Sequence, residues 1–181
     1  MTFQPVVPFG GLAGWHFLAR TRENQETAFA RSAPIQSATA YFREHISSAK
    51  TADDLIGDRR LLAVALGAFG LDEDIDNKAF IRKVLTDGVL DETALANKLT
   101  DKRYHDLSKA FGYGDFAIAN TQLSDFPDKI IAAYRTHQFE VSVGNQDPNM
   151  RLALGLERDL EAIVQNDTTD NGRWFAVMGS E

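Results

Sequence analysis

The chain has 181 residues, a formal net charge of −7 and no cysteine. With 44% hydrophobic and 25% charged residues it has globular composition, enough for one core or a core with a small satellite. The acidic balance argues against a nucleic-acid or anionic-membrane partner, because both are held by clustered Lys and Arg. Without cysteine there are no disulfides, thiolate zinc sites or thiol nucleophiles.

No stretch approaches the ~20 apolar residues of a membrane span. The opening "MTFQPVVPFGGLAGW" has two prolines and no basic region, so it does not read as a secretory signal. The cytoplasm is the expected location.

Pro5, Pro8, Gly10 and Gly11 make residues 1–10 a flexible arm. A single helical domain over 11–181 is expected to follow, with any subdivision near 113–124. A first helix runs from Leu12 to about Arg31, carrying Trp15, Leu18 and Phe29 on one side. Its middle, "RTRENQETA", is polar almost all round and reads as solvated. Pro34 suits the first turn of a second helix, with Ile35, Ala38, Phe42 and Ile46 at helical spacing.

Thr51 and Asp54 have the spacing of a capping box. The helix they open reaches "LLAVALGAF", apolar on every side, so 51–69 reads as the buried central helix. Asp76 is the expected N-cap of a helix with the stripe Phe80, Ile81, Val84 and Leu85, ended by Asp87-Gly88. Asp91 then starts another, with Leu95, Leu99, Leu107 and Phe111 inward. A looser stretch covers Tyr113 to Ser124.

After Pro127 a helix carries Ile130, Ile131, Tyr134 and Phe139 to about Gly144. Asp147-Pro148 restarts the chain, N-cap then proline. Leu152, Leu156, Leu160, Ile163 and Val164 continue that last helix to about Gln165. Only "FEVSV" and "WFAVM" have a strand-like pattern, and neither has a hairpin partner. The expected fold is therefore all-α, a compact bundle of six or seven helices. The Trp174-Phe175 tail is too apolar for a solvated end, so it packs back or the natural chain continues.

Ala-Phe-Gly occurs twice, at 68–70 and 110–112. Gly70 and Gly112 read as left-handed helix caps, with Leu71 and Tyr113 packing back toward Leu66 and Leu107. The flanks differ, "LLAVAL" apolar and "RYHDLSK" polar, so a duplicated module is weakly supported.

Candidate chemistry is thin. Asp72, Asp74 and Asp76 have the spacing of the first calcium-loop ligands. Asn77 then stands where that loop needs glycine, and Lys83 where it needs a bidentate glutamate. His16, His45, His105 and His137 are scattered. Only His137 and Glu140 share a face at i, i+3, and no second pair completes a di-metal site; Glu44 and His45 point to different faces.

There is no Gly-x-Ser-x-Gly, Walker or Gly-x-Gly-x-x-Gly pattern, and the "GYG" at 112–114 follows a helix where a phosphate loop precedes one. The mixed-charge runs at Asp58–Arg60 and Asp101–Asp106 read as solvated faces, or else as the polar rim of an interface. No catalytic, cofactor-binding or metal-ligating residue is assigned, and no cofactor is expected.

The blocks "YFREHI", "DDLIGDRRLLAVALGAFGLDEDIDNKAFIRKVL", "LANKLTDKRYHDLSKAFGYGD", "QFEVSVG", "MRLALGLERDL" and "WFAVMG" together resemble the bacterial family called domain of unknown function 1217. The likeness covers nearly the whole chain and is most specific in "DRRLLAVALGAFGLD" and "NKAFIRKVL". It implies no activity and no catalytic set. Members like this one are often encoded among flagellar genes of alphaproteobacteria, which implies a flagellum-associated role by context.

Members also tend to continue past "WF-x-x-MG", where this sequence has only Ser180 and Glu181, so it reads as a shortened or short member. The expectation is a non-enzymatic helical protein acting through protein–protein contacts, as a flagellar accessory or assembly protein. Its partner would be another protein, a flagellar component among the options, and its oligomeric state stays open. The alternative is a small-molecule binder or enzyme with a pocket between helices, lined by residues such as Trp15, Phe69 and Tyr104.

Overall fold

A computed structural model of the chain describes residues 3–166. Every regular element among them is helical: α1 (Gly11–Ala30), α2 (Ala33–His45), α3 (Ala52–Gly57), α4 (Arg59–Ala68), α5 (Lys78–Asp87), α6 (Leu95–Lys98), α7 (Arg103–Phe111), α8 (Phe126–Gly144) and α9 (Pro148–Asn166), with 3-10 turns at Ile46–Ser48, Asp72–Asp76 and Asn120–Gln122. The strand-like "FEVSV" lies inside α8; "WFAVM" and the Trp174-Phe175 tail lie outside the described residues.

Two expected helices are each split in two, which gives nine helices among the described residues in place of six or seven. The first break is at Asp58. Its backbone is extended, and its carboxylate accepts from the N–H groups of Arg60 and Leu61, so it caps a new helix. The second is at 99–102, where Leu99 is extended and Asp101 accepts from the N–H of Arg103 at 3.0 Å, in the manner of a cap. The central buried helix is thus α4 alone, with Leu61, Leu62, Val64, Ala65 and Leu66 among its buried residues.

Backbone contacts divide the chain into two units. One gathers Glu26–Phe139; the other joins Gln4–Gln25 to the chain from Glu140 on. The boundaries fall inside α1 and α8, and residues 113–124 lie within the first unit.

In the first unit α4 packs against α2 and α3, and α5 packs against α3 and α7. Phe42, Leu55, Leu62, Leu66, Ile81, Leu85, Leu107 and Phe111 are fully buried in one cluster. Each such side chain contributes about 1.5–3 kcal/mol of hydrophobic stabilisation. Phe111 meets Phe126 edge-on at 5.1 Å, and Phe29 meets Phe139 likewise at 5.8 Å.

The capping box forms as the spacing predicts: Thr51 accepts from Asp54 N–H at 3.2 Å and Asp54 from Thr51 N–H at 2.9 Å. The two glycine caps also form, in different versions. After α4, Leu71 N–H bonds Leu66 C=O (2.9 Å) and Gly70 N–H bonds Gly67 C=O (3.4 Å), a Schellman motif. After α7, Gly112 N–H bonds Ser108 C=O at 2.8 Å, the simpler left-handed cap. Leu71 is buried in the cluster with Leu66, whereas Tyr113 lies beside Phe111 and donates its hydroxyl to Ala49 C=O.

In the second unit Leu18, Val143, Met150 and Leu154 are buried. Residues 3–10 are non-helical, with Pro5 buried. Val6 donates to Gln25 Oε1 (2.6 Å) and accepts from its Nε2 (3.1 Å). The middle of α1 is therefore not wholly solvated. Gln25 is buried because Val6 and Thr21 satisfy its amide. Asp147 caps α9, accepting from Asn149 N–H at 2.9 Å.

Candidate functional site

The acidic turn Asp72–Asp76 is the richest polar feature of the first unit, and its carboxylates diverge. Gln138 Nε2 donates to Asp72 at 2.6 Å. Tyr104 Oη and Asn77 Nδ2 donate to Asp74 at 2.7 and 2.6 Å. Arg59 pairs with Asp76 at 2.6 Å. Asp76 is thus not the N-cap of α5; Asn77 holds that position without a side-chain bond, because Asp76 is drawn to the guanidinium. That hydrogen bond and charge hold Asp76 below its ordinary range.

Each carboxylate serves a different helix: α8, α7 and α4 respectively. The turn reads as a clasp across the core, in place of a converging ligand shell. Among the described residues no group of three or more His, Asp or Glu is placed to hold a metal ion.

Arg103 completes the clasp. Its guanidinium donates to Gly70 C=O at 2.6 Å and forks onto Asp101. Tyr104, its neighbour, meets Phe80 edge-on at 5.1 Å. Burial, then the bond to Asp74, pushes the Tyr104 phenol up to about 12. A phenol so raised stays protonated, and so a donor, across the physiological range.

A second cluster joins α2 to the α3–α4 break. Tyr41 Oη donates to Asp58 at 2.6 Å, Arg60 lies 3.6 Å over the Tyr41 ring, and His45 stacks on that ring at 4.0 Å. Burial would raise Asp58, but the Tyr41 hydroxyl and two backbone N–H groups outweigh it and hold the carboxyl low. The same bond raises Tyr41. The "DRR" run therefore does two jobs the sequence did not separate: Asp58 caps and Arg60 covers an aromatic face. The chain signal was Gly57-Asp58, a stop followed by a cap residue.

Of the histidines, His16 is exposed on α1, His45 is stacked as described, and His105 is half-buried, 3.3 Å from its neighbour Asp106. His137 and Glu140 share α8 but belong to different units. Glu140 is 4% exposed and pairs with Arg158 at 2.5 Å, which also reaches Asp159; Arg22 pairs with Glu157 at 2.5 Å. Burial raises the Glu140 carboxyl, against the pull of Arg158.

Trp15 belongs to the second unit and Phe69 and Tyr104 to the first. A pocket of about 210 Å³ in the first unit is lined by none of them, but by Glu26, Thr27, Ala30, Arg135 and Thr136.

Two apolar surfaces stand out. On α9, Leu152, Leu156, Leu160 and Val164 recur every fourth residue and are 73%, 58%, 38% and 55% exposed. In the first unit Leu90, Phe116, Ile118 and Leu123 are exposed, and Asp115 accepts from Val89 N–H and Leu90 N–H, holding the 88–90 turn beside 115–116. Periodicity located the α9 row but could not say that the other described residues leave it uncovered. No helix among the described residues is long and apolar enough to cross a membrane.

No curated protein matches the chain. Among solved structures, it is similar to the X-ray crystal structure of protein AGR_C_984 from Agrobacterium tumefaciens. The two are 31% identical, with a TM-score of 0.76 over 87% of this chain and 70% of that one. The family model described as "Protein of unknown function (DUF1217)" matches residues 68–181, from the end of α4 onward. The protein belongs to that family.

Proposed function

We propose that this is a non-enzymatic helical protein that works by contact with other proteins, as an accessory or assembly factor of the bacterial flagellum. The observation that carries the contact reading is the row Leu152, Leu156, Leu160 and Val164, an apolar face on α9 that the other described residues leave exposed. Monomers seldom expose contiguous apolar patches beyond a few hundred Å², and larger ones mark interaction sites. The polar clusters support the same reading from the other side, since their carboxylates and phenols are consumed in bonds between helices.

The flagellar setting rests on the genomic company of the family that the sequence resembles. Deleting the gene in a motile bacterium that carries it tests this part. The expected result is impaired swimming or aberrant filaments; normal swimming with normal filaments ends the flagellar reading.

A further inference from the structure

Among the described residues, one guanidinium of the first unit is incompletely used. Arg135, on α8, has its Nε buried with no hydrogen-bond acceptor among the described residues. Buried donors are nearly always paired, so this one marks a guanidinium with capacity to spare. The same side chain lines the pocket of about 210 Å³, together with Thr136 of α8 and Glu26, Thr27 and Ala30 of α1. The pocket thus sets an arginine beside the Glu26 carboxylate, the Thr27 hydroxyl, the Thr136 hydroxyl that donates to Ala132 C=O, and the Ala30 methyl.

We propose that this pocket binds an alkyl carboxylate, the carboxylate on Arg135 and the methylene stem against Ala30. Size and charge choose the class. Drug-sized ligands and cofactors occupy pockets of roughly 300–1,000 Å³, so this one admits a group about the size of a Glu side chain. A guanidinium matches a planar carboxylate with paired donors. A phosphate would bring a second negative charge toward Glu26, which already makes an interaction of its own. The carboxylate belongs either to an acidic side chain on a protein or to a free aliphatic acid.

The test is a titration of the ¹⁵N-labelled full chain, following the Arg135 Nε–H signal and the amides of Thr27 and Thr136. The probes are butyrate for a free acid and N-acetyl-glutamate-N′-methylamide for a protein side chain, with phosphate and chloride at matched ionic strength. Both carboxylates should give saturable shifts in the millimolar range, several-fold tighter than phosphate. Tighter binding of the capped glutamate assigns the site to a protein side chain, and tighter binding of butyrate to a free acid.

R135Q should abolish the shifts at Thr27 and Thr136, and R135K, which keeps charge and bulk, should weaken them several-fold. No saturable shift with either carboxylate, phosphate binding as tightly, or R135K binding like the parent overturns the proposal. A deletion strain that swims normally would remove the flagellar reading and leave this site standing.

Discussion

Arg103 donates to the carbonyl of Gly70 across 33 positions of sequence, at 2.6 Å, and so ties the N-terminus of α7 to the turn that ends α4. Gly70 has φ +68 and Gly112 φ +67, so alanine at either meets left-handed strain of about 1–2 kcal/mol. At Gly70 an added Cβ would find only ordinary contacts, the nearest at 3.6 Å. At Gly112 it would lie 2.6 Å from the Phe116 ring and 3.0 Å from Asn120 Nδ2. G112A should therefore be more destabilising than G70A in urea unfolding. R103A should cost about 1 kcal/mol, the net worth of a typical hydrogen bond.

Asp58 serves two elements at once, and Thr51 only one. T51A removes a capping box and should cost about 1 kcal/mol. D58A removes the cap of α4 and also the acceptor of the Tyr41 hydroxyl, so about 2 kcal/mol is expected. D58N, which can still cap, should fall between them. Thermal or urea midpoints of the three variants check the order.

The Glu140 carboxyl is raised, chiefly by burial, above the ordinary value of 4.5. A raised acid binds its proton more tightly folded than unfolded, so the stability it lends is present below 4.5 and lost as pH climbs through the folded value. Depressed carboxyls such as Asp58 and Asp76 act in the opposite sense, their contribution being complete above the ordinary 3.8 and lost as pH falls through their folded values. Urea midpoints should decline as pH rises above 4.5, and E140Q should flatten that decline.

In the acidic turn, D74N removes the charge that Tyr104 donates to but leaves the ring's burial. An ultraviolet titration of the phenols should find Tyr104 moved down from about 12 and still above its ordinary 10.0. Because the three aspartates face separate donors, calorimetry of the parent with millimolar calcium should show no binding heat.

Much of this fold was legible because caps are local. Thr51 with Asp54, Asp147 before Pro148, and the two glycines each act within a few residues, and sequence spacing records that. The break at Asp58 hid inside a run whose apolarity dominated the reading, although Gly57-Asp58 already held a stop and a start. Asp76 misled for the reverse reason: it has cap chemistry, but Arg59, 17 residues away, takes its carboxylate. Arg135 and its pocket gave no signal, since two ordinary helical stretches become a site only when paired. The α9 row was visible as apolar period; its exposure is a property of the fold and not of the period.

The central claim is that α9 presents a protein-binding face, and complementation tests it most directly. A gene-deletion strain should be supplied with the parent chain or with L152D/L156D, a pair 73% and 58% exposed whose replacement leaves the buried Met150 and Leu154 in place. Equal circular-dichroism melts of the two purified proteins establish that the variant folds. The account predicts that the parent restores swimming and the double variant does not. Full restoration by L152D/L156D would contradict it.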